Sequence, residues 1–455
     1  VKHMNQQDPY RLHYHLMPLQ GSLADPNGMC QINDTYHIYY IYNPLACTTK
    51  ERTACVWGHY STKDFIHFKV EPIAIKPDQP WDKDGVYSGS SLYEDHQLSV
   101  YYTGNVRYQG DYDYIHDGRQ QNVMMTTSKD GIHFSSKQLL LTNDDFPASM
   151  TKHVRDPQVF KEDCYYMVLG ARHLENKGLV LIYKSQDKIH WNYWKQLTTS
   201  YPCGYMWECP DLITLNQQRI LLTCPQGIPQ TEVYQNQHQC GYFEVIGDWN
   251  GECDLGDFKL LDYGFDFYAA RTFLTQKGER ILFAWMGMSE ASYSQNITYR
   301  DGWMQAMAMP RLLTYRHHHI YQSPIEQMKD LRLSHQVFLP FERIYKESLC
   351  FELLISNINC DEMTIQFRKD CYLRYKDQML ILDMGTCGDG RDKRQLKVKH
   401  LDKLHIYSDT SSLEIFINDG YYTMTSRIFS LNNQLIIESI DAHIDYYELG
   451  QYQIY

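Results

Sequence analysis

Five times along the chain the same layout returns: a polar or small lead-in, a short strand, a polar turn, then a strand rich in Tyr, Val, Ile, Leu or Phe. The copies run Gly28–Leu45, Ser88–Asn105, Asp156–Arg172, Glu208–Gly227 and Ala270–Gly287. Their turns centre near residues 34, 95, 163, 217 and 277. A second marker keeps phase with the first three: Ser61–Phe68, Ser128–Phe134 and Ser185–Trp191 are near-identical tails, each ending in histidine and an aromatic residue. Repeats of about sixty residues, each with room for four short strands, predict a β-propeller, and five of them predict five blades. His67, His133 and His190 are expected in outer turns, far apart, and not as metal ligands.

Beyond Arg311 the pattern changes. His317, His318 and His319 are adjacent and so would point to alternating faces, which suits a turn better than a metal site. Ile325 to Leu333 spaces its apolar residues three and four apart and is expected to be a short linking helix. After about residue 336 the strands are short and alternating, which predicts a β-sandwich. The chain is therefore read as all-β: a five-bladed propeller over 1–322, a helical linker over 323–335 and a β-sandwich over 336–455. The sandwich carries no acids at strand mouths and is read as accessory.

Composition excludes several functions. A net charge of −12 without clustered Lys and Arg excludes nucleic acid as a partner. No apolar run reaches the length of a membrane span, so no membrane partner is expected. The 13 cysteines are odd in number and contain no C-x-x-C pair, which gives neither zinc spacing nor a disulfide framework. The start is polar; Val1-Lys2-His3 reads as an addition ahead of a native Met4, without a signal peptide, and a reduced, cytoplasmic monomer or homodimer is expected. The 38 tyrosines suit β-strands and a carbohydrate pocket.

In a propeller the first strand of each blade lines the central channel, so residues opening those strands meet at one end of the axis. Asp25, Asp156 and Glu208 open units one, three and four. Taken alone, Asp25-Pro26-Asn27-Gly28 reads as a turn aspartate capping its own backbone; recurrence moves it to the channel mouth.

The motifs resemble glycoside hydrolase family 32. They are DPNG at 25–28, WGH at 57–59, YSGS at 87–90, YTGN at 102–105, RDP at 155–157, GYMWECPDL at 204–212, DYGFDFYA at 262–269 and SSLEIFINDG at 411–420. The ordered set covers nearly the whole chain, and YMWECPD is most similar to the branch of bacterial sucrose-6-phosphate hydrolases. The resemblance implies a propeller followed by a sandwich, no metal and no organic cofactor. It implies a retaining hydrolase of β-fructofuranosyl bonds, acting on sucrose 6-phosphate or sucrose. Asp25 would be the nucleophile, Glu208 the general acid/base and Asp156 the stabiliser of the charged fructosyl unit. Arg155, Trp57, Tyr87, Ser88 and Trp207 would neighbour the sugar. Such chemistry needs one carboxylate to attack and a second, protonated, to release the leaving group. Lys152, His153, Arg107, Arg172 and His173 are the basic residues expected near the pocket.

Two positions depart from the family pattern. Ala24 stands where Asn usually precedes DPNG, and Ile41 where Gln usually sits in the next strand. An unpaired sugar hydroxyl beside Ile41 costs roughly 1–3 kcal/mol. Three readings stay open: the pocket takes a modified or shifted fructosyl unit or a short fructan; Tyr40, Tyr42 or Gln20 replace the contacts; or the protein is a weak, sugar-binding propeller. Transfer to an acceptor sugar instead of water is a further variant.

Overall fold

The structure, a computed structural model, describes residues 8–49 and 53–455, so Val1–His3 and Met4 lie outside it. Five antiparallel sheets of four-stranded type stand in chain order around an axis. Their innermost strands are Gly21–Ile32, Val86–Glu94, Met150–Lys161, Met206–Leu215 and Tyr268–Leu274. Alternation along each strand sends one set of side chains into the packing between neighbouring blades, where Trp207 and Phe243 of the fourth sheet share a cluster with Val168, Val180 and Ile182 of the third. The fifth sheet ends at Pro324, and a 3₁₀-helix, Glu326–Leu331, follows. Its three-residue period puts Met328 and Leu331 on one buried face. Two six-stranded sheets then form the sandwich, beginning with Gln336–Phe338. Their inner faces supply one apolar core that includes Leu353, Ile365, Leu380, Ile415 and Ile437.

The first blade is joined to distant parts of the chain. Trp303–Met304 pairs in parallel with Gly21–Ser22, and Gln453–Ile454 pairs in parallel with its outer strand, His67–Val70. The propeller–sandwich contact is polar and buried. Arg311 donates to Glu414 and to Thr425, Asp262 accepts from Thr423 and Thr425, and His15 lies between Asp409 at 2.8 Å and Glu414 at 3.0 Å.

Every innermost strand breaks its ladder at the same height. In each, two residues oppose one: Ala24-Asp25 across from Ile41, Tyr87-Ser88 across from Thr103, Asp156-Pro157 across from Leu169, Cys209-Pro210 across from Thr223, and Ala269-Ala270 across from Ala284. These are β-bulges, which bend a strand and re-aim its side chains. Asp156, Cys209 and Ala269 take positive φ of 65°, 49° and 52°, the left-handed conformation that the first residue adopts in one type of bulge. The DPNG stretch is thus not the turn expected from Pro and Asn-Gly: it runs inside a strand, with Pro26, opposite Tyr40, following directly on the bulge.

The repeat tails are turns closed by their own aspartates. His67, His133 and His190 each bond through Nδ1 to the aspartate three residues earlier, at 2.7–2.8 Å.

Candidate active site

At the bulged end of the axis lies a cavity of about 460 Å³, within the range of small-ligand sites. All its lining residues lie between Asp25 and Glu290, so the sandwich contributes none. A second cavity of similar size opens at the other end of the innermost strands, and Arg271 is in its wall.

Three carboxylates converge in the first cavity. Asp25 Oδ2 accepts from the Ser88 hydroxyl at 2.6 Å and from the Cys209 thiol at 3.7 Å. Asp156 Oδ2 accepts from the backbone N–H of Cys209 at 2.9 Å, so one residue touches two of the acids. Glu208 Oε1 is gripped by Arg155 through Nη2 at 2.6 Å and Nε at 3.2 Å, while Oε2 accepts from the Tyr268 hydroxyl at 2.7 Å. Burial pushes Asp25 up to about 6; the Ser88 hydrogen bond opposes this, and the charges of Asp156 and Glu208 add to it. Burial also raises Asp156, with Arg155 the main opposing influence. The Cys209 thiol is pushed well up by burial and then by both aspartates, so it stays protonated and donates.

Ser88 favours the ionised form of Asp25, and Asn27 spends its side chain locking the bulge: it donates to Asp25 O at 3.0 Å and accepts from Gly89 N at 3.0 Å.

Tyr87, Ser88, Arg155 and Ile41 line the cavity with the three acids. Trp57 and Trp207 do not. Both are 0% exposed and serve as props beneath the site: Trp57 donates to Tyr87 O at 3.0 Å, and Trp207 donates to Cys203 O at 2.7 Å. Ala24 lies in the Asp25 bulge directly across from Ile41, outside the lining. Alternation turns Tyr40 away into the core against Tyr60, and Gln20 is spent on Pro44 O, so neither replaces a contact at Ile41. Tyr42 likewise packs on the core side.

Of the expected basic residues, His153 and Arg172 line the mouth. Arg107 instead stacks on Tyr114 at 3.3 Å, and His173 caps its own turn through Glu175 N; Lys152 is likewise outside the lining. Arg119, Gln121, Tyr205, Gln226, Ser289 and Glu290 join the rim without having been foreseen. Arg119 and Arg155 both approach His153, at 3.2 and 2.7 Å. Burial and then Arg155, Arg119 and Arg172 drive His153 down to about 2, so it is a neutral ring in a positive field. Tyr268 stood inside the quoted DYGFDFYA run, which is the signal that could have marked it.

Three carboxylates brought into one cavity of a five-bladed propeller, one of them gripped by an arginine, suit the chemistry of a glycoside hydrolase. The profile described as "Glycosyl hydrolases family 32 N-terminal domain" matches residues 15–324, and "Glycosyl hydrolases family 32 C terminal" matches residues 385–444. The chain belongs to glycosyl hydrolase family 32. It is 34% identical to the sucrose-6-phosphate hydrolase of Bacillus subtilis over 93% of this chain and 89% of that one. It is also 34% identical to that of Staphylococcus xylosus, over 98% and 93%. The solved sucrose-6-phosphate hydrolase of Lactobacillus gasseri superposes with a TM-score of 0.89 at 27% identity, covering 98% of this chain and 94% of that one. A family 32 β-fructofuranosidase variant of Bombyx mori, in complex with sucrose, superposes with a TM-score of 0.82 at 27% identity, covering 98% and 95%.

Proposed function

We propose that the protein hydrolyses the β-fructofuranosyl bond of sucrose 6-phosphate, with retention, through a covalent fructosyl intermediate on Asp25. The observation that carries this reading is the convergence of Asp25, Asp156 and Glu208 on one cavity. Asp25 Oδ1, the oxygen that Ser88 leaves open, attacks the anomeric carbon. Because Arg155 occupies Glu208 Oε1, the proton for the leaving group sits on Oε2, where the Tyr268 hydroxyl can turn from donor to acceptor. The same carboxylate then takes a proton from water, which attacks the intermediate and frees Asp25. Asp156, fixed by Cys209 N–H, accepts from sugar hydroxyls as positive charge grows on the ring.

The phosphate is supported by the rim. Arg119 and Arg172 flank neutral His153 on blades two and three, beyond the acids, where the leaving-group sugar would project. The named activity of the Bacillus and Staphylococcus relatives agrees with it. Free thiols at all 13 cysteines support a reducing, cytoplasmic setting.

Glu208→Gln should lose several orders of magnitude of turnover on sucrose 6-phosphate; on a fructosyl donor whose leaving group departs unprotonated, a rapid burst of leaving group should survive while the later attack of water stays slow. Wild-type fructose release by this variant on the sugar phosphate would refute the assignment. Equal kcat/KM on sucrose and sucrose 6-phosphate would remove the phosphate.

Ile41 favours a second reading, in which a short fructan or a substituted fructosyl unit is the better substrate. Ile41 lines the cavity, across the bulge from Ala24, and presents an apolar side chain to whatever sugar the pocket holds.

A further inference from the structure

Arg271 follows the fifth bulge and is 2% exposed. Nη1 donates to Pro210 O at 2.6 Å and Nη2 to Asp156 O at 3.1 Å; those carbonyls belong to the bulges of the fourth and third blades. Bulges leave such carbonyls outside the ladder, and a guanidinium offers a rigid fork of donors to fill two at once. The residue lies between the two axial cavities, beneath the acids, and it is the cation on blade five that acts on both Asp25 and Asp156.

We infer that Arg271 is a positioning residue of this reaction: it ties the bulges of blades three, four and five together, and sets a fixed positive charge beneath Asp25. The inference rests on the hydrolase reading above. Its physical content is twofold. The clamp fixes where Asp156 and Glu208 stand relative to each other, because each is in or beside a bulge whose carbonyl Arg271 holds. The charge opposes burial at Asp25, which faces Asp156 from blade three, Glu208 and the Cys209 thiol from blade four, Ser88 from blade two and Arg271 from blade five. Arg155 is committed to Glu208.

The test is the pH dependence of kcat/KM for Arg271→Gln and Arg271→Lys, with fold checked by circular dichroism. The glutamine variant should move the acidic limb upward by about half a unit or more, since the opposing charge is gone. The lysine variant keeps the charge but not the fork; its limb should stay with the wild type while kcat falls about tenfold or more through looser geometry. A folded glutamine variant with an unmoved limb would overturn the inference, as would a lysine variant whose limb moves as far as that of glutamine. Where the glutamine variant does not fold, the lysine variant decides alone on the position of its limb. Absence of fructose release by the wild-type protein strikes the hydrolase reading itself, and is distinguishable from either result.

Discussion

Asp25 is costly to keep charged, and that cost is measurable in two ways. With the carboxyl lifted to about 6, the ionised fraction of the proposed nucleophile falls below that pH. The acidic limb of kcat/KM should therefore bend near pH 6 and decline tenfold per unit beneath it. Stability runs the other way. A carboxyl raised above its unfolded value destabilises the fold when ionised, so Asp25→Asn should be inactive yet more stable at pH 7, by about 1–3 kcal/mol. The gain should be full above pH 6 and fade toward pH 4, as thermal unfolding at several pH values would reveal. The departures at Ala24 and Ile41 belong to the same scale. Restoring polar side chains with Ala24→Asn and Ile41→Gln together should raise kcat/KM on unmodified sucrose by about 5–100-fold if those hydrogen bonds are what the pocket lacks. A panel of fructosides assayed with wild type and double variant would show which substrate loses in exchange.

At the scale of the element, the bulge is the unit that makes a site from a strand. The strands themselves were legible because turn residues and Tyr- or Val-rich runs recur at a fixed period, and the three acids were legible because each opens one of those runs. The bulges were only half visible. Pro157 and Pro210 stand in two of them and Pro26 directly follows a third, since proline in an inner strand needs relief from the ladder, but the pairs Tyr87-Ser88 and Ala269-Ala270 carry no such flag. The rim was visible only at His153 and Arg172: Arg119 and Gln121 sit on the third strand of blade two and Glu290 in a loop, whose place depends on how neighbouring blades rotate. The two tryptophans were misplaced for a related reason, because a motif names a residue without saying which face of the strand it takes. Support beneath the strands is tight. A Cβ at Gly178 would overlap the Trp207 indole, so Gly178→Ala should displace the residue next to Glu208. The expected result is about 1–3 kcal/mol of lost stability by denaturant titration and a fall in kcat larger than any rise in KM.

For the whole molecule, the propeller and sandwich are held by buried charge as well as apolar packing. Burial alone would lower His15, yet its hydrogen bonds to Asp409 and Glu414 raise it to about 9, well above its ordinary 6.5. Its stabilisation is thus complete below about pH 6.5 and is lost as pH rises through about 9. Asp409, held down to about 2 against burial by the same contact, loses its share only as pH falls toward that value. His15→Ala should cost about 3–5 kcal/mol at pH 7, because two buried carboxylates lose their partner. The difference from wild type should shrink at pH 10, a comparison that urea titrations at the two pH values would make.

The first blade raises a question of timing. Its four strands leave the ribosome early, but the strand that covers its outer edge, Gln453–Ile454, is made nearly four hundred residues later. At ordinary elongation rates the gap is on the order of tens of seconds. During that interval a nascent chain presents the unpaired backbone of His67–Val70 to anything that can form a sheet with it. Exposed His67 and Lys69 on that strand are the kind of side chains that discourage a stray neighbour until the proper one arrives.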